Sequence, residues 1–395
     1  MKLSKNSPEV LLLLIAAGST MGFAIWLNLL NNFAIDRAAF TGKEIGILQS
    51  LREIPGFFAF TIIYVLLFIR EQRMAYLSLF ILGLGTLLTG FFPSATGFYI
   101  TTVIMSVGFH YLETVQNSLS LQWLDKKDAP EFLGKMIAAK SAASIFAFSL
   151  VWFLFEWLHL DYVWLYALGG SVSILIALYS WLSFKDFPQK VYQSKNLILR
   201  KRYWLFYALQ FMGGARRQIF VVFAGFLMVE KFGFSVGEIS LLYLVNAIFN
   251  IFLAPKIGKI IGVVGERRAL IFEYIGLIAV FIGYALVESA SVAVVLYILD
   301  HLFFAMAIAQ KTYFQKIANP ADIASTAGVS FTINHIAAVV IPVLFGSLWI
   351  YSSDLVFYAG SVMALMSLIL ALNIPRYPTE GNETLIERFG APVQL

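Results

Sequence analysis

The sequence predicts an all-α membrane protein with twelve transmembrane helices in two pseudo-symmetric six-helix bundles. Three observations support this fold class. Of the 395 residues, 60% are hydrophobic and 13% are charged, whereas soluble domains carry about 25% charged residues. The chain also contains a series of apolar runs of spanning length, and its two halves repeat short motifs.

A helix that crosses the hydrocarbon core needs about 20 mainly apolar residues. The predicted spans are roughly 10–30, 45–68, 74–92, 98–123, 132–157, 162–184, 203–229, 239–261, 269–287, 292–313, 323–351 and 355–374. The even number places both termini on one side of the membrane. The resulting plan is a first bundle at 1–184, a cytoplasmic linker at 185–202, a second bundle at 203–374 and a cytoplasmic tail at 375–395.

The basic residues predict the orientation. With a cytoplasmic N-terminus, twenty of the 28 lysines and arginines fall in inside segments or within a few residues of them, and only Arg37, Lys43 and Lys231 fall in outside loops. By the positive-inside rule both termini are cytoplasmic in a cell inner membrane. This asymmetry also explains the net charge of +5 without a nucleic-acid partner. The chain has no cysteine for a thiolate metal site, and we expect neither a metal nor a cofactor.

The halves look like parallel repeats. The stretch GKEIG at 42–46 opens span 2, and GEIS at 237–240 opens span 8. The connection DKKDAP at 125–130, after span 4, parallels QKIANP at 315–320, after span 10. Two repeated six-helix bundles are one of the known transporter architectures, with the substrate site near the midplane where the halves meet.

A local motif adds a family resemblance. The segment GKIIGVVGERR at 258–268 is similar to the loop motif G-x-x-x-D-R-x-G-R-R of the major facilitator superfamily, with Gly262 in place of the acid and Val263 in place of the first arginine. The chain resembles that family over essentially its whole length. The resemblance implies a monomer in which spans 1, 4, 7 and 10 line a cavity and spans 2, 5, 8 and 11 flank it. The drug-antiporter motif of span 5 is absent.

Polar groups fall on the spans that the resemblance assigns to the cavity, and ionisable residues inside a membrane indicate function. The predicted substrate-binding residues are Arg52, Asn117, Lys140, Arg216, Arg217, Gln218, Asn246, Asn250, Lys311 and Asn334. The predicted proton-coupling residues are His110, Glu113, Asp300, His301 and His335.

These residues predict a secondary active transporter that moves a small organic anion by alternating access. Guanidinium groups suit carboxylate and phosphate, so the predicted substrate is a carboxylate or a phosphorylated metabolite. Desolvation favours the protonated form of a buried carboxylate, and histidine titrates near neutral pH. We therefore expect coupling to protons.

Each group also has an alternative role. In this alternative, Arg216 and Arg217 pair internally with Glu113 or Asp300 and do not contact the substrate. Arg52 would form a local gating pair with Glu53. Asn246 and Asn250 would form hydrogen bonds between helices in place of contacts to the substrate. Glu273 is expected to pair with Arg267 or Lys259.

Two further function classes compete with anion transport. The first is a proton-driven exporter of cationic or amphipathic drugs, with Glu113 and Asp300 as anionic anchors. The second, a remote alternative, is a polytopic membrane enzyme. It needs catalytic residues clustered at one interface, whereas His110 and His301 are predicted near the middle of their spans.

Overall fold

The computed structural model describes residues 7–123, 129–188, 199–319 and 323–386, and these residues form helices without a β-strand. The helices are α1 (Pro8–Asp36), α2 (Gly42–Phe57), α3 (Ile62–Val65), α4 (Glu71–Thr89), α5 (Ala95–Trp123), α6 (Ala129–Glu156), α7 (Tyr162–Ser183), α8 (Trp204–Ile219), α9 (Gly225–Phe232), α10 (Val236–Val264), α11 (Glu266–Leu286), α12 (Ala290–Phe304), α13 (Ile308–Ile317), α14 (Ile323–Trp349) and α15 (Ser353–Leu372). The predicted all-α class is confirmed.

Short polar residues determine where several helices begin. The Ser7 side chain accepts a hydrogen bond from the Val10 amide, and Pro8 occupies the first turn of α1. Thr41 and Glu44 form a reciprocal capping box at the start of α2. Such caps accept hydrogen bonds from first-turn amides that have no partner inside the helix. They therefore determine the residue at which each of these helices begins.

Three of the predicted spans contain a break in the regular α-helix. Span 2 passes from α2 through a 3-10 turn at Ala59–Thr61 into α3. Span 7 contains a π-helical turn at Phe220–Ala224 between α8 and α9, and span 10 contains a 3-10 turn at Ala305–Ala307 between α12 and α13. Such interruptions often accompany functional sites because they redirect the side chains that follow.

Within the described ranges, nine helices are long and apolar enough to cross a membrane. The predicted spans at 45–68, 74–92 and 98–123 are not among them, although each coincides with helix in the structure. The first of these carries Arg52, Glu53 and Pro55 in a helix that ends at Phe57. The number of twelve transmembrane helices therefore stays a prediction.

The chain divides into two compact units. The first unit comprises Met1–Gln193 and Gly233–Ala247, and the second comprises Ser194–Phe232 and Ile248–Leu395. The division runs through α10, whose first turns belong to the first unit. The bundle boundaries expected from the sequence stay a prediction.

Close backbone contact holds α4 against α7 in the first unit. A Cβ atom added at Gly83 would lie 2.6 Å from the carbonyl oxygen of Gly170 and 2.9 Å from side-chain atoms of Ile174 and Ser173. Small residues allow such approach, and dispersion contacts then supply the attraction between apolar helices.

Candidate functional site

A buried charge cluster lies in the second unit. Arg216, near the end of α8, has its guanidinium 3.8 Å from the Glu273 carboxylate of α11 and 4.5 Å from the ring centre of Tyr274. Asp300 of α12 is buried and within electrostatic reach of both Arg216 and Glu273. One cation is therefore shared by two acids in a low-dielectric environment, where charge interactions are strong.

This arrangement corrects one expectation. Glu273 pairs with Arg216, so the expected pairing with Arg267 or Lys259 is wrong for Arg267, which donates instead to the Leu372 carbonyl at 3.1 Å. The side chain of Lys259 lies outside the described residues. Arg216 has a buried acid as its partner, as the internal-pairing alternative proposed, although the acid is a different one.

Two glycines in α8 bring amide side chains close to the cluster. The Gln310 amide lies 3.5 Å from where a Cβ of Gly213 would stand, and the Asn334 amide oxygen occupies the position of a Gly214 side chain. Gln310 also donates to the Tyr274 hydroxyl at 2.8 Å. Sequence reasoning missed Tyr274 and Gln310, although Gln310 directly precedes the predicted site residue Lys311.

The neighbours of Arg216 on α8 have different surroundings. Arg217 is exposed, and its guanidinium lies 4.9 Å from the ring centre of Phe304. Gln218 is buried. Lys311 of α13 is exposed. Arg217 and Lys311 are thus accessible cations on the second unit, whereas Arg216 is enclosed.

The histidines of the second unit lie in different surroundings from the charge cluster. The Nδ1 atom of His301 lies 3.1 Å from the Tyr297 carbonyl, and its ring packs against the rings of Phe220 and Tyr297. His335 of α14 is buried. A relay role for either histidine stays a prediction.

In the first unit, the structure brings three predicted residues together. Arg52 and Glu53, both buried, form an ion pair within α2, and the Ser106 hydroxyl donates to the Arg52 carbonyl. A carboxylate oxygen of Glu53 lies within 4.8 Å of a ring nitrogen of His110 on α5. This cluster fits the local-pair alternative for Arg52.

The other predicted residues of the first unit are more dispersed. Glu113 and Asn117 follow His110 on α5 and are half-buried and exposed, respectively, and Lys140 of α6 is half-buried. Asn246 of α10 is buried, and neither amide atom has a hydrogen-bond partner among the described residues. Asn250, farther along α10, belongs to the second unit, and its side chain lies outside the described residues.

Sequence reasoning also missed a row of buried amides on α1. Asn28 donates to the Ser240 hydroxyl at 2.8 Å, and Asn32 donates to the Phe234 carbonyl at 2.7 Å. Asn31, which lies between them in the sequence, is also buried. The spacing of three and four residues is a usable sequence signal for one helix face.

The chain matches the family model described as Major Facilitator Superfamily over residues 9–342. The chain belongs to the Major Facilitator Superfamily. It is a membrane transporter, consistent with its apolar helices. Members of this superfamily carry small molecules across membranes. No curated protein sequence is significantly similar to the chain.

Solved structures of other superfamily members share the fold. A variant of the nucleoside transporter NupG has a TM-score of 0.77 and 15% identity, with 93% of this chain and 99% of that chain covered. A bacterial homologue of the human lysosomal transporter Spinster has a TM-score of 0.71 and 15% identity, covering 95% and 97%. A D-xylose–proton symporter has a TM-score of 0.71 and 10% identity, covering 95% and 99%. At these identities the likeness shows the fold alone.

Proposed function

We propose that this superfamily member is a proton-coupled transporter of a small organic anion. It acts by alternating access in the cell inner membrane, as a monomer with both termini cytoplasmic. The observation that supports the proposal is that the acids and the cations within the predicted spans differ in their accessibility. Acids are mostly enclosed beside arginine, and cations are mostly accessible.

The enclosed acids have arginine beside them. Glu53 pairs with Arg52 in the first unit, and Glu273 and Asp300 lie around Arg216 in the second. These acids are therefore unsuitable as attractive surfaces for a cationic substrate, because each of them is enclosed and has an arginine beside it.

The accessible charges are mainly positive. Arg217 and Lys311 are exposed on the second unit, and Lys140 is half-buried on the first, where Glu113 is the half-buried acid. Arg217 lies at mid-span, where a cation costs several kcal/mol in acyl chains, so its side chain is expected to face a watery path instead. Lys140 and Lys311 lie towards the cytoplasmic ends of their predicted spans. A carboxylate or phosphate group provides the matching charge for these side chains.

Arg217 is the strongest candidate for direct contact with the substrate. The Phe304 ring beneath its guanidinium restricts the fork while leaving it exposed, and a restricted donor loses less entropy on binding. Gln218, Lys311 and Asn334 are proposed to assist on the second unit. Asn117, Lys140 and Asn246 are proposed to assist on the first unit, and Asn250, just past the division within α10, is proposed to assist on the second.

Proton coupling is proposed for the buried cluster. One guanidinium cannot fully balance two buried carboxylates, so a proton on Glu273 or Asp300 relieves the excess negative charge. One of the structural neighbours is a D-xylose–proton symporter, which supports the same proposal here. His110, Glu113, His301 and His335 are proposed as further proton carriers.

The substrate proposal is tested by ligand-dependent thermal melting of the purified protein. Dicarboxylates and sugar phosphates are compared with neutral sugars and organic cations, because only a bound ligand stabilises the folded state by mass action. Anions should raise the melting temperature of the wild type and of Arg268→Gln, a control that removes an exposed arginine outside the predicted spans. Arg217→Gln should weaken the apparent affinity at least about tenfold, or about 1.4 kcal/mol. Equal anion affinity in both variants would refute the role of Arg217.

A further inference from the structure

A basic cavity lies in the second unit where the linker meets α8. Its volume is about 550 Å³. The lining residues are Leu199, Arg200, Lys201, Arg202, Asn319 and Glu380. Among the described residues, three consecutive cations and one acid thus line this cavity, and none of them belongs to the cluster around Arg216.

The wall of this cavity is held in a defined geometry. Arg202 donates to the Glu380 carboxylate at 3.0 Å and to the Tyr203 hydroxyl at 2.7 Å, and its guanidinium lies 4.8 Å from the Tyr203 ring centre. The Tyr203 hydroxyl also accepts a hydrogen bond from the Asn319 amide at 3.0 Å. Tyr203 itself is fully buried. The buried Tyr203 ring therefore holds the Arg202 guanidinium in a fixed position.

The acids of this region are held differently. The Glu380 side chain is 49% exposed, whereas that of Glu383, 3.9 Å from Arg202, is 6% exposed. The tail is anchored independently of Glu380, because the Tyr313 hydroxyl donates to the Glu383 carbonyl at 2.7 Å and the Leu385 amide donates to the Asn373 carbonyl at 2.9 Å. Glu380 can therefore leave Arg202 without undocking the tail.

We propose that this cavity binds the phosphate group of an anionic phospholipid headgroup, which takes the place of Glu380 on Arg202. Phosphate oxygens match the guanidinium fork, and Arg200 and Lys201 add further positive charge. The cavity lies at the predicted cytoplasmic end of span 7, at headgroup depth, and basic pockets at that depth bind lipid headgroups. Leu199, 70% exposed on the cavity wall, offers an apolar contact suited to a lipid rather than to free phosphate.

The test is a titration of the full-length protein in detergent with three probes: phosphatidylglycerol, phosphatidylcholine and inorganic phosphate. Binding is read from the melting temperature and from lipid retained in native mass spectra. The variant pair is Arg200→Gln with Lys201→Gln, and the matched control is Lys256→Gln with Arg268→Gln, two exposed cations of the same unit outside the cavity. A third variant, Glu380→Gln, removes the competing carboxylate.

Phosphatidylglycerol should bind the wild type and the control pair equally and bind Arg200→Gln/Lys201→Gln at least about tenfold more weakly, since only the cavity pair loses charge-assisted contacts to the phosphate. Glu380→Gln should bind it severalfold more tightly, a gain that a misfolded variant cannot produce. Equal binding by the cavity pair and the wild type overturns the proposal. Stabilisation by inorganic phosphate without preference for phosphatidylglycerol also overturns it, by assigning the cavity to a soluble phosphate.

Discussion

Arg216 and Arg217 are adjacent in the chain but occupy opposite environments. Successive side chains point about 100° apart on a helix, so the packing that buries Arg216 against Glu273 and Tyr274 leaves Arg217 exposed over Phe304. Neutralising the two arginines should therefore have different effects. Loss of the Arg216 charge should affect stability and coupling, whereas loss of the Arg217 charge should affect substrate binding.

Glu273→Gln should lower the stability of the purified protein by roughly 3 kcal/mol, because it removes one acid beside a buried guanidinium. Asp300 remains within reach of Arg216 and limits the loss. The combined variant Arg216→Met/Glu273→Gln/Asp300→Asn should recover most of the melting temperature, since no buried charge then lacks its partner. A combined variant that melts below Glu273→Gln would mean that these charges do not stabilise one another.

Asp300→Asn should abolish proton-driven uptake of the substrate while leaving exchange of substrate across the membrane intact. The variant removes a carboxylate that can exchange a proton without removing Arg217. Uptake and counterflow in proteoliposomes with and without an imposed pH gradient measure the two activities. Glu288→Gln, which alters an exposed acid between α11 and α12, is the control. Uptake by Asp300→Asn that still responds to the gradient would remove Asp300 from the coupling mechanism.

At the scale of helices, glycines determine where two helices can approach. Gly83→Ala should destabilise the first unit by about 1–3 kcal/mol, because its Cβ would meet the Gly170 backbone and force α4 and α7 apart. Gly262→Ala in α10 is the matched control, since no atom of the described residues lies within 4 Å of its added Cβ. This control should keep or slightly raise the melting temperature, because alanine favours a helix over glycine. Equal melting of both variants would show that the α4–α7 contact adjusts freely.

Sequence reasoning succeeded where the determinants are local. Apolar runs predict where the helices lie, and the structure then shows caps such as Ser7 and Thr41 at their first turns. The partner of Glu273 could not be found in this way, because the choice between Arg216 and Arg267 depends on which helix faces packing brings together. The π-helical turn at Phe220–Ala224 has no evident signal in the sequence. The amides on α1 were missed because neutral asparagines appear unremarkable beside charged residues.

At the scale of the whole molecule, the asymmetry of basic residues predicts the orientation. The chain has no cysteine, so single cysteines can report on it directly. Ser94→Cys, exposed between α4 and α5, should react with a membrane-impermeant maleimide on intact cells. Arg268→Cys should react only after permeabilisation, because its loop is predicted to be cytoplasmic. The reverse pattern of labelling would contradict the proposed orientation.

The most direct test of anion–proton transport is substrate-driven proton flux in proteoliposomes that carry an internal pH dye. Small carboxylates or sugar phosphates added outside should drive proton movement through the wild type and through Arg268→Gln, and Arg217→Gln should abolish this movement. Proton flux driven by neutral solutes or by organic cations, but not by anions, would contradict the proposed function. In that case the accessible arginine would not be the group that selects the substrate.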